Sequence, residues 1–183
     1  MAHITVSVEY AIHCLLWLIG QEGTPMSTRK LAEVQGISPS FLAKIFPKLE
    51  RGGIVRASEG VRGGYLLAKP PKDISFLAIV DAIEGEKPLF DCREIRAQCP
   101  LFGKDPPTWA TKGRCAIHSA MLRAEKSMRD TLKSQSLADV AQALGRRAPP
   151  EFWADVKEWI DGKDEVPTRK RAATQKRKRR RTP

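Results

Sequence analysis

Apolar residues near the start of the chain recur at helical spacing. Val8, Ala11, Ile12, Leu15, Leu16 and Ile19 follow the i, i+3, i+4, i+7 pattern of an amphipathic helix, and Gly20 and Gly23 end it. Ser27-Thr28-Arg29-Lys30 opens a short second helix carrying Leu31, Ala32 and Val34, which stops at Gly36. Ser38 then offers an N-cap and Pro39 the first helical position. Phe41, Leu42, Ile45, Phe46 and Leu49 form the apolar stripe of this third helix, opposite Ser40, Lys44, Lys48 and Arg51. Pro47 deletes the bond to the Ala43 carbonyl, so a bend or early relaxation is expected there. Two β-like runs follow, Ile54–Ala57 and Tyr65–Ala68, joined by the Gly-rich segment 58–64. Pro70-Pro71 closes the unit. A helix is expected from about Ser75 to Glu84, with Leu77, Val80, Ala82 and Ile83 apolar.

Residues 85–114 lose periodicity and contain Pro88, Pro100, Pro106 and Pro107. So long an irregular stretch is usually functional or disordered. Helical spacing returns over 117–132 through Ala120, Met121, Ala124, Met128 and Leu132. Ser136 opens another short helix. After Pro149-Pro150, residues 151–160 read as a helix bearing Phe152, Trp153, Val156 and Trp159. No internal repeat is evident.

Helix, short helix, tight connection, helix, two-stranded hairpin is the order of a winged helix-turn-helix. The expected class is therefore mainly α with a small β wing, followed by a long helix. In that arrangement Ser38, Ser40, Lys44, Lys48 and Arg51 on the third helix, with Arg62 at the wing tip, are the candidate contacts to phosphates and base edges of double-stranded DNA. A solvated helix face beside an ordinary hairpin would carry similar residues.

Composition narrows the class further. Among 183 residues, 42% are hydrophobic and 29% charged, which suits a soluble globular protein. The apolar run Leu15–Ile19 is far too short for a membrane span, and no secretion signal opens the chain, so a cytoplasmic protein is expected. Four cysteines are too few for a disulfide scaffold. Neither a phosphate loop, a nucleotide fingerprint, a HExxH motif nor a nucleophile–base set is present, which argues against an enzyme and against a small-molecule substrate. The net charge of +11 is mostly a tail property: residues 167–183 hold nine of the 32 basic side chains and no acid, leaving 23 basic against 21 acidic residues elsewhere. Such a tail is expected to be disordered, either touching phosphates without sequence preference or simply solubilising the chain.

Cys92, Cys99 and Cys115, with His118 three residues later, offer soft and borderline ligands for zinc or an iron–sulfur cluster. Six residues separate the first two cysteines and fifteen the next two, which matches no common zinc-finger rule. Ordinary reduced thiols would satisfy the same pattern. Glu9 and His13 share a helix face four residues apart, as a helix-stabilising pair or as two ligands on adjacent turns. Cys14 points into the apolar face as a small hydrophobe.

Five segments in this order, namely 8–13 (Val-Glu-Tyr-Ala-Ile-His), 37–44 (Ile-Ser-Pro-Ser-Phe-Leu-Ala-Lys), 63–67 (Gly-Gly-Tyr-Leu-Leu), 79–85 (Ile-Val-Asp-Ala-Ile-Glu-Gly) and the cysteine loop, resemble the bacterial Rrf-two superfamily of iron–sulfur transcription regulators. The resemblance spans residues 1 to about 145. It implies a homodimer on a DNA operator that senses redox state, nitric oxide or iron supply. Within the superfamily the likeness is closest to the RsrR-type pattern, through Glu9, His13 and Cys92-Arg93-Glu94-Ile95-Arg96. That pattern implies a 2Fe–2S cluster held by Glu9 and His13 of one subunit and Cys92 and Cys115 of the other. Cys115-Ala116-Ile117-His118 also resembles the IscR-type pattern, whose ligands here would be Cys92, Cys99, Cys115 and His118. A winged-helix regulator using zinc or bare thiols is the alternative reading. The implied organisation is a DNA-binding domain over 1–72, a cluster loop and dimerisation helix over 73–145, a helical extension over 146–166 and a basic tail over 167–183.

Overall fold

The computed structural model describes residues 4–21, 23–60, 63–160 and 162. The described residues form two compact units, one up to Ala143 and one from Leu144 on. The first begins with helices α1 (Val6–Trp17), α2 (Thr28–Gln35) and α3 (Pro39–Arg51) and the antiparallel strands β1 (Val55–Ser58) and β2 (Gly64–Leu67). It continues through α4 (Phe76–Glu84), the one-turn helix α5 (Thr108–Thr111), the long α6 (Ala116–Ser134) and the start of α7 (Leu137–Arg147). The observed elements are mostly helical with one small hairpin, the class expected from the hydrophobic pattern.

Local chemistry sets the helix ends. Ser27 Oγ accepts from the Lys30 backbone N–H at 3.2 Å to start α2, and Gly36, at φ +70°, ends it in the left-handed region. Ser75 Oγ caps α4 by accepting from Ala78 N–H at 3.2 Å. Ser136 and Asp139 cap α7 reciprocally: Ser136 N–H donates to the Asp139 carboxylate at 2.8 Å, and Asp139 N–H to the Ser136 hydroxyl at 3.2 Å. Helix α3 runs on through Pro47 to Arg51, so the lost Ala43 bond does not end it.

Ala11, Leu15, Leu31, Leu42, Phe46, Leu49 and Ile79 are buried and form the centre of the core. Each of the larger side chains among them, Leu, Phe and Ile, contributes about 1.5–3 kcal/mol through removal from water. Strand register pairs Val55 with Leu67 and Ala57 with Tyr65. Met26 adds a third chain to the hairpin, accepting from Tyr65 N–H at 2.9 Å and donating back at 3.1 Å. Only glycine fits at 64, because a Cβ there would lie 2.4 Å from the Met26 carbonyl carbon. The Gly-Gly-Tyr sequence thereby lets the wing close against the loop before α2.

Two polar ties join the later helices to this core. Arg129 on α6 donates to both carboxylate oxygens of Asp81 on α4, at 3.1 and 2.9 Å. Lys48 on α3 donates to the Ile83 carbonyl of α4 at 2.9 Å. The chain before α4 and the α6–α7 junction pair through Phe76 N–H to Gln135 O and Leu137 N–H to Ile74 O, both at 2.9 Å.

The second unit contains the end of α7 and α8 (Pro150–Ile160), where Phe152 and Trp153 meet edge to face at 5.2 Å. The tail 167–183 lies outside the described residues. No described helix is long and apolar enough to cross a membrane.

Candidate functional site

Helix α3 presents Ser38, Ser40, Lys44 and Arg51 on its exposed side, while Leu42, Ile45, Phe46 and Leu49 are buried. One detail differs from the sequence expectation and another adds to it. Ser38 occupies the N-cap position but makes no side-chain cap bond; its hydroxyl is paired with the Ser40 hydroxyl at 2.8 Å. Both hydroxyls therefore stay together at the exposed N-terminus of α3, where backbone N–H groups favour an anion. Lys48 is exposed in the same row and in addition places its ammonium on the Ile83 carbonyl at 2.9 Å, a contact between α3 and α4. Arg51 donates from Nε to the Pro47 carbonyl at 3.3 Å. Arg62 lies outside the described residues. Arg56, exposed on β1 between buried Val55 and the hairpin end, adds a wing cation that the helix-face pattern missed; strand alternation was the available signal.

The irregular segment 85–114 holds two short 3-10 turns, Ile95–Gln98 and Pro100–Phe102, and α5. It folds back so that Cys92, Cys115 and His118 line one hollow of about 280 Å³, together with Phe90, Glu94 and Arg96. Cys115 sits at the N-cap of α6 and His118 in its first turn. Cys99 is not part of that lining. Arg96 donates from Nη2 to the Gly113 carbonyl at 2.9 Å and pairs through Nε with Glu94. The hydrogen bond from Arg96, aided by the positive charges of Arg96 and His118, holds the Glu94 carboxyl below the usual carboxylate range against a burial effect of opposite sign.

Glu9 and His13 line a different hollow of about 450 Å³, bounded by Val6, Ile12, Phe76, Val80 and Leu132. The structure thus brings together Cys92 with Cys115 and His118, and Glu9 with His13, but not the two sets with each other. Among the described residues, no group of three or more His, Cys, Asp or Glu is arranged to hold a metal. The donor chemistry still fits a shared group: two thiols and an imidazole on one surface, a carboxylate and an imidazole on another, neither set complete alone. Cys14 plays no part. It is buried in α1, and burial pushes its thiol up to about 12.

Helix α6 has no buried residue along its 19 positions. Ile117 is 63% exposed and Met121 38%, with Ala120 and Ala124 exposed beside them. These four residues form one uncovered apolar stripe.

Comparison with known proteins agrees with this anatomy. Residues 4–143 match the family model Rrf2, described as an iron-dependent transcriptional regulator. An HTH-type transcriptional regulator of Mycobacterium tuberculosis (Rv1287) is 36% identical over 139 residues, covering 75% of this chain and 80% of that protein. The HTH-type transcriptional repressor NsrR of Streptomyces coelicolor is 29% identical over 142 residues, covering 76% and 88%. CymR, the global cysteine regulator of B. subtilis, superposes with a TM-score of 0.60 at 21% identity, covering 78% of this chain and 98% of that structure, which shows a shared fold. With a winged helix-turn-helix, a cysteine-bearing loop and a family match across both, this chain belongs to the Rrf2 family of transcriptional regulators.

Proposed function

We propose that this regulator works as a homodimer in the cytoplasm, binds a DNA operator through α3 and the wing, and senses redox state through a 2Fe–2S cluster shared between subunits. The proposed ligands are Glu9 and His13 of one subunit and Cys92 and Cys115 of the other, the RsrR-type set. One observation carries the reading: Cys92 and Cys115 share a hollow while Glu9 and His13 line another in the same chain. Such a two-plus-two division suits ligation completed by a second copy. The uncovered stripe of α6 supplies apolar surface for that copy.

A bound 2Fe–2S cluster supplies a one-electron redox centre, and mixed nitrogen and oxygen ligation raises its potential relative to all-thiolate ligation. The protein's own part is to couple that site to DNA. Cys115 starts α6; Arg129 of α6 holds Asp81 of α4; Lys48 of α3 holds the Ile83 carbonyl of α4. A shift of α6 is thereby passed to α3 through two polar links. Because half-site spacing follows dimer geometry, a small rotation of each α3 changes operator affinity.

The test is the visible absorption of the full-length protein purified without oxygen, before and after dithionite. A red-brown protein whose bands bleach on reduction and return on reoxidation is expected. A colourless protein that takes up no iron and sulfide would sink the cluster reading and leave a regulator using zinc or bare thiols, a reading to which the shared fold with a cysteine regulator lends weight.

The α3 face makes a second expectation. Lys44→Ala should weaken operator binding for every sequence tested and lower the salt slope by about 1 per lost phosphate contact. Lys48→Ala should leave the slope unchanged and instead cost about 0.5–1.5 kcal/mol of stability, since it leaves the Ile83 carbonyl without its donor. Binding at several salt concentrations and thermal unfolding separate the two.

A further inference from the structure

Residues 92–96 and 113–115 are distant in sequence, yet Cys92 and Cys115 open onto one hollow. Something must hold the two segments together. Few backbone bonds span the segment, and its regular pieces are single turns. Phe90 lies 6.1 Å, ring to ring, from His118, and Leu89 N–H donates to Glu125 at 3.3 Å, so residues just before Cys92 are tied to α6; Arg96 bridges from the other side of Cys92 to the residues just before Cys115. Its Nη2 reaches the Gly113 carbonyl at 2.9 Å, two residues before Cys115. Its Nε is held by Glu94, two residues after Cys92. The Arg96 side chain is 23% exposed, well enclosed for an arginine outside a core. Glu94 has φ +47°, the only described non-glycine residue in the left-handed region. Such a backbone persists where neighbouring contacts hold it. Arg96 also lines the hollow onto which both thiols open.

We propose that Arg96 is a positioning residue, a planar clip that grips Glu94 and Gly113 at once and so sets Cys92 and Cys115 at one shared site. The proposal rests on reading these two cysteines as ligands. The clip needs the fork of a guanidinium, because two nitrogens serve two partners in fixed directions; an ammonium is one point charge on a flexible stem. Lysine is therefore not a conservative replacement here.

The test uses the full-length protein without metal, reduced, as wild type, Arg96→Gln, Arg96→Lys and Glu94→Gln. Amide hydrogen exchange is followed over residues 92–98 and 112–116, alongside coupling of Cys92 to Cys115 by a short bifunctional thiol reagent, read by mass spectrometry. In Arg96→Gln, exchange in both segments is expected to rise about tenfold and Cys92–Cys115 coupling to fall about tenfold, the effect of losing charge-assisted bonds. Arg96→Lys should resemble Arg96→Gln, and Glu94→Gln should show a smaller change, since the Gly113 bond remains. Exchange in α1 to α4 should stay at the wild-type level, which excludes general unfolding as the cause. Unchanged exchange and coupling in Arg96→Gln would overturn the proposal, as would full rescue by lysine. The readouts need no cluster. If wild type takes up no iron and sulfide while Arg96→Gln still loosens both segments, the clip stands and only the cluster reading falls.

Discussion

Alanine at Cys92 or at Cys115 is expected to give a folded, colourless protein after purification without oxygen, while Cys99→Ala keeps the visible bands. The geometry drives this division. Cys92 and Cys115 line the same hollow, and Cys99 does not. Cys99 instead lies between the two 3-10 turns, at the N-cap of Pro100–Phe102. On the other hollow, Glu9→Ala and His13→Ala should each lose or strongly weaken the absorption, because each removes a proposed ligand from a set with no spare member. His118 is the informative case. It shares the hollow with both thiols and lies 6.1 Å, ring to ring, from Phe90. His118→Ala is expected to keep the bands. If His118→Ala and Cys99→Ala bleach the protein while Glu9→Ala and His13→Ala do not, the ligands are the IscR-type set and the cross-subunit arrangement fails. Operator binding and circular dichroism on the same variants show whether colour or fold was lost.

Much of this molecule could be read along the chain because its signals are local. The α1 stripe, the Ser27 and Gly36 ends of α2, the Pro39 start of α3, the Ser75 start of α4 and the glycine-rich hairpin each depend on a few neighbouring residues, and the structure has each. What could not be read depends on pairs far apart. Lys48 reads as one cation of a polar row, and nothing along the chain shows that it also holds the Ile83 carbonyl, 35 residues on. One local reading also fell short: the Ser38 hydroxyl looks like a cap, but Ser40, two residues on, competes for it at 2.8 Å. Asp81 and Arg129 carry no mark of their partnership, 48 residues apart. The segment 85–114 has no periodicity, so its single turns and the tie from Arg96 to Gly113 were hidden. The candidate ligands were visible as residue types at suggestive spacings. Their division between two separate hollows required the fold.

The uncovered stripe on α6 leads to the second large effect. A charge at Met121, as Met121→Asp, should convert the protein to a monomer in sedimentation or light scattering. Ala120, Met121 and Ala124, with Ile117 at the edge of the cysteine hollow, lie on the exposed side of α6, whereas Arg129 and Glu125 bond to Asp81 and Leu89 N–H and His118 lines that hollow. A carboxylate in the middle of that stripe would have to be buried against a second copy without a partner, a severe cost for a small contact. The same charge at Lys126, on the opposite side of α6, should leave the dimer intact. Operator affinity tracks the assembly state. Two linked winged domains gain about 10²–10⁴-fold over one through effective concentration, so Met121→Asp should lose affinity on that scale while a single half-site is bound as before. Cluster retention gives an independent reading. If, as proposed, Glu9 and His13 of one subunit complete the site of Cys92 and Cys115 of the other, each site in a monomer has only half its ligands, and the visible absorption should vanish although no ligand has been altered. A colourless monomer supports cross-subunit ligation; a monomer that stays red-brown places all four ligands within one chain; a dimer that persists in Met121→Asp means that another surface joins the subunits.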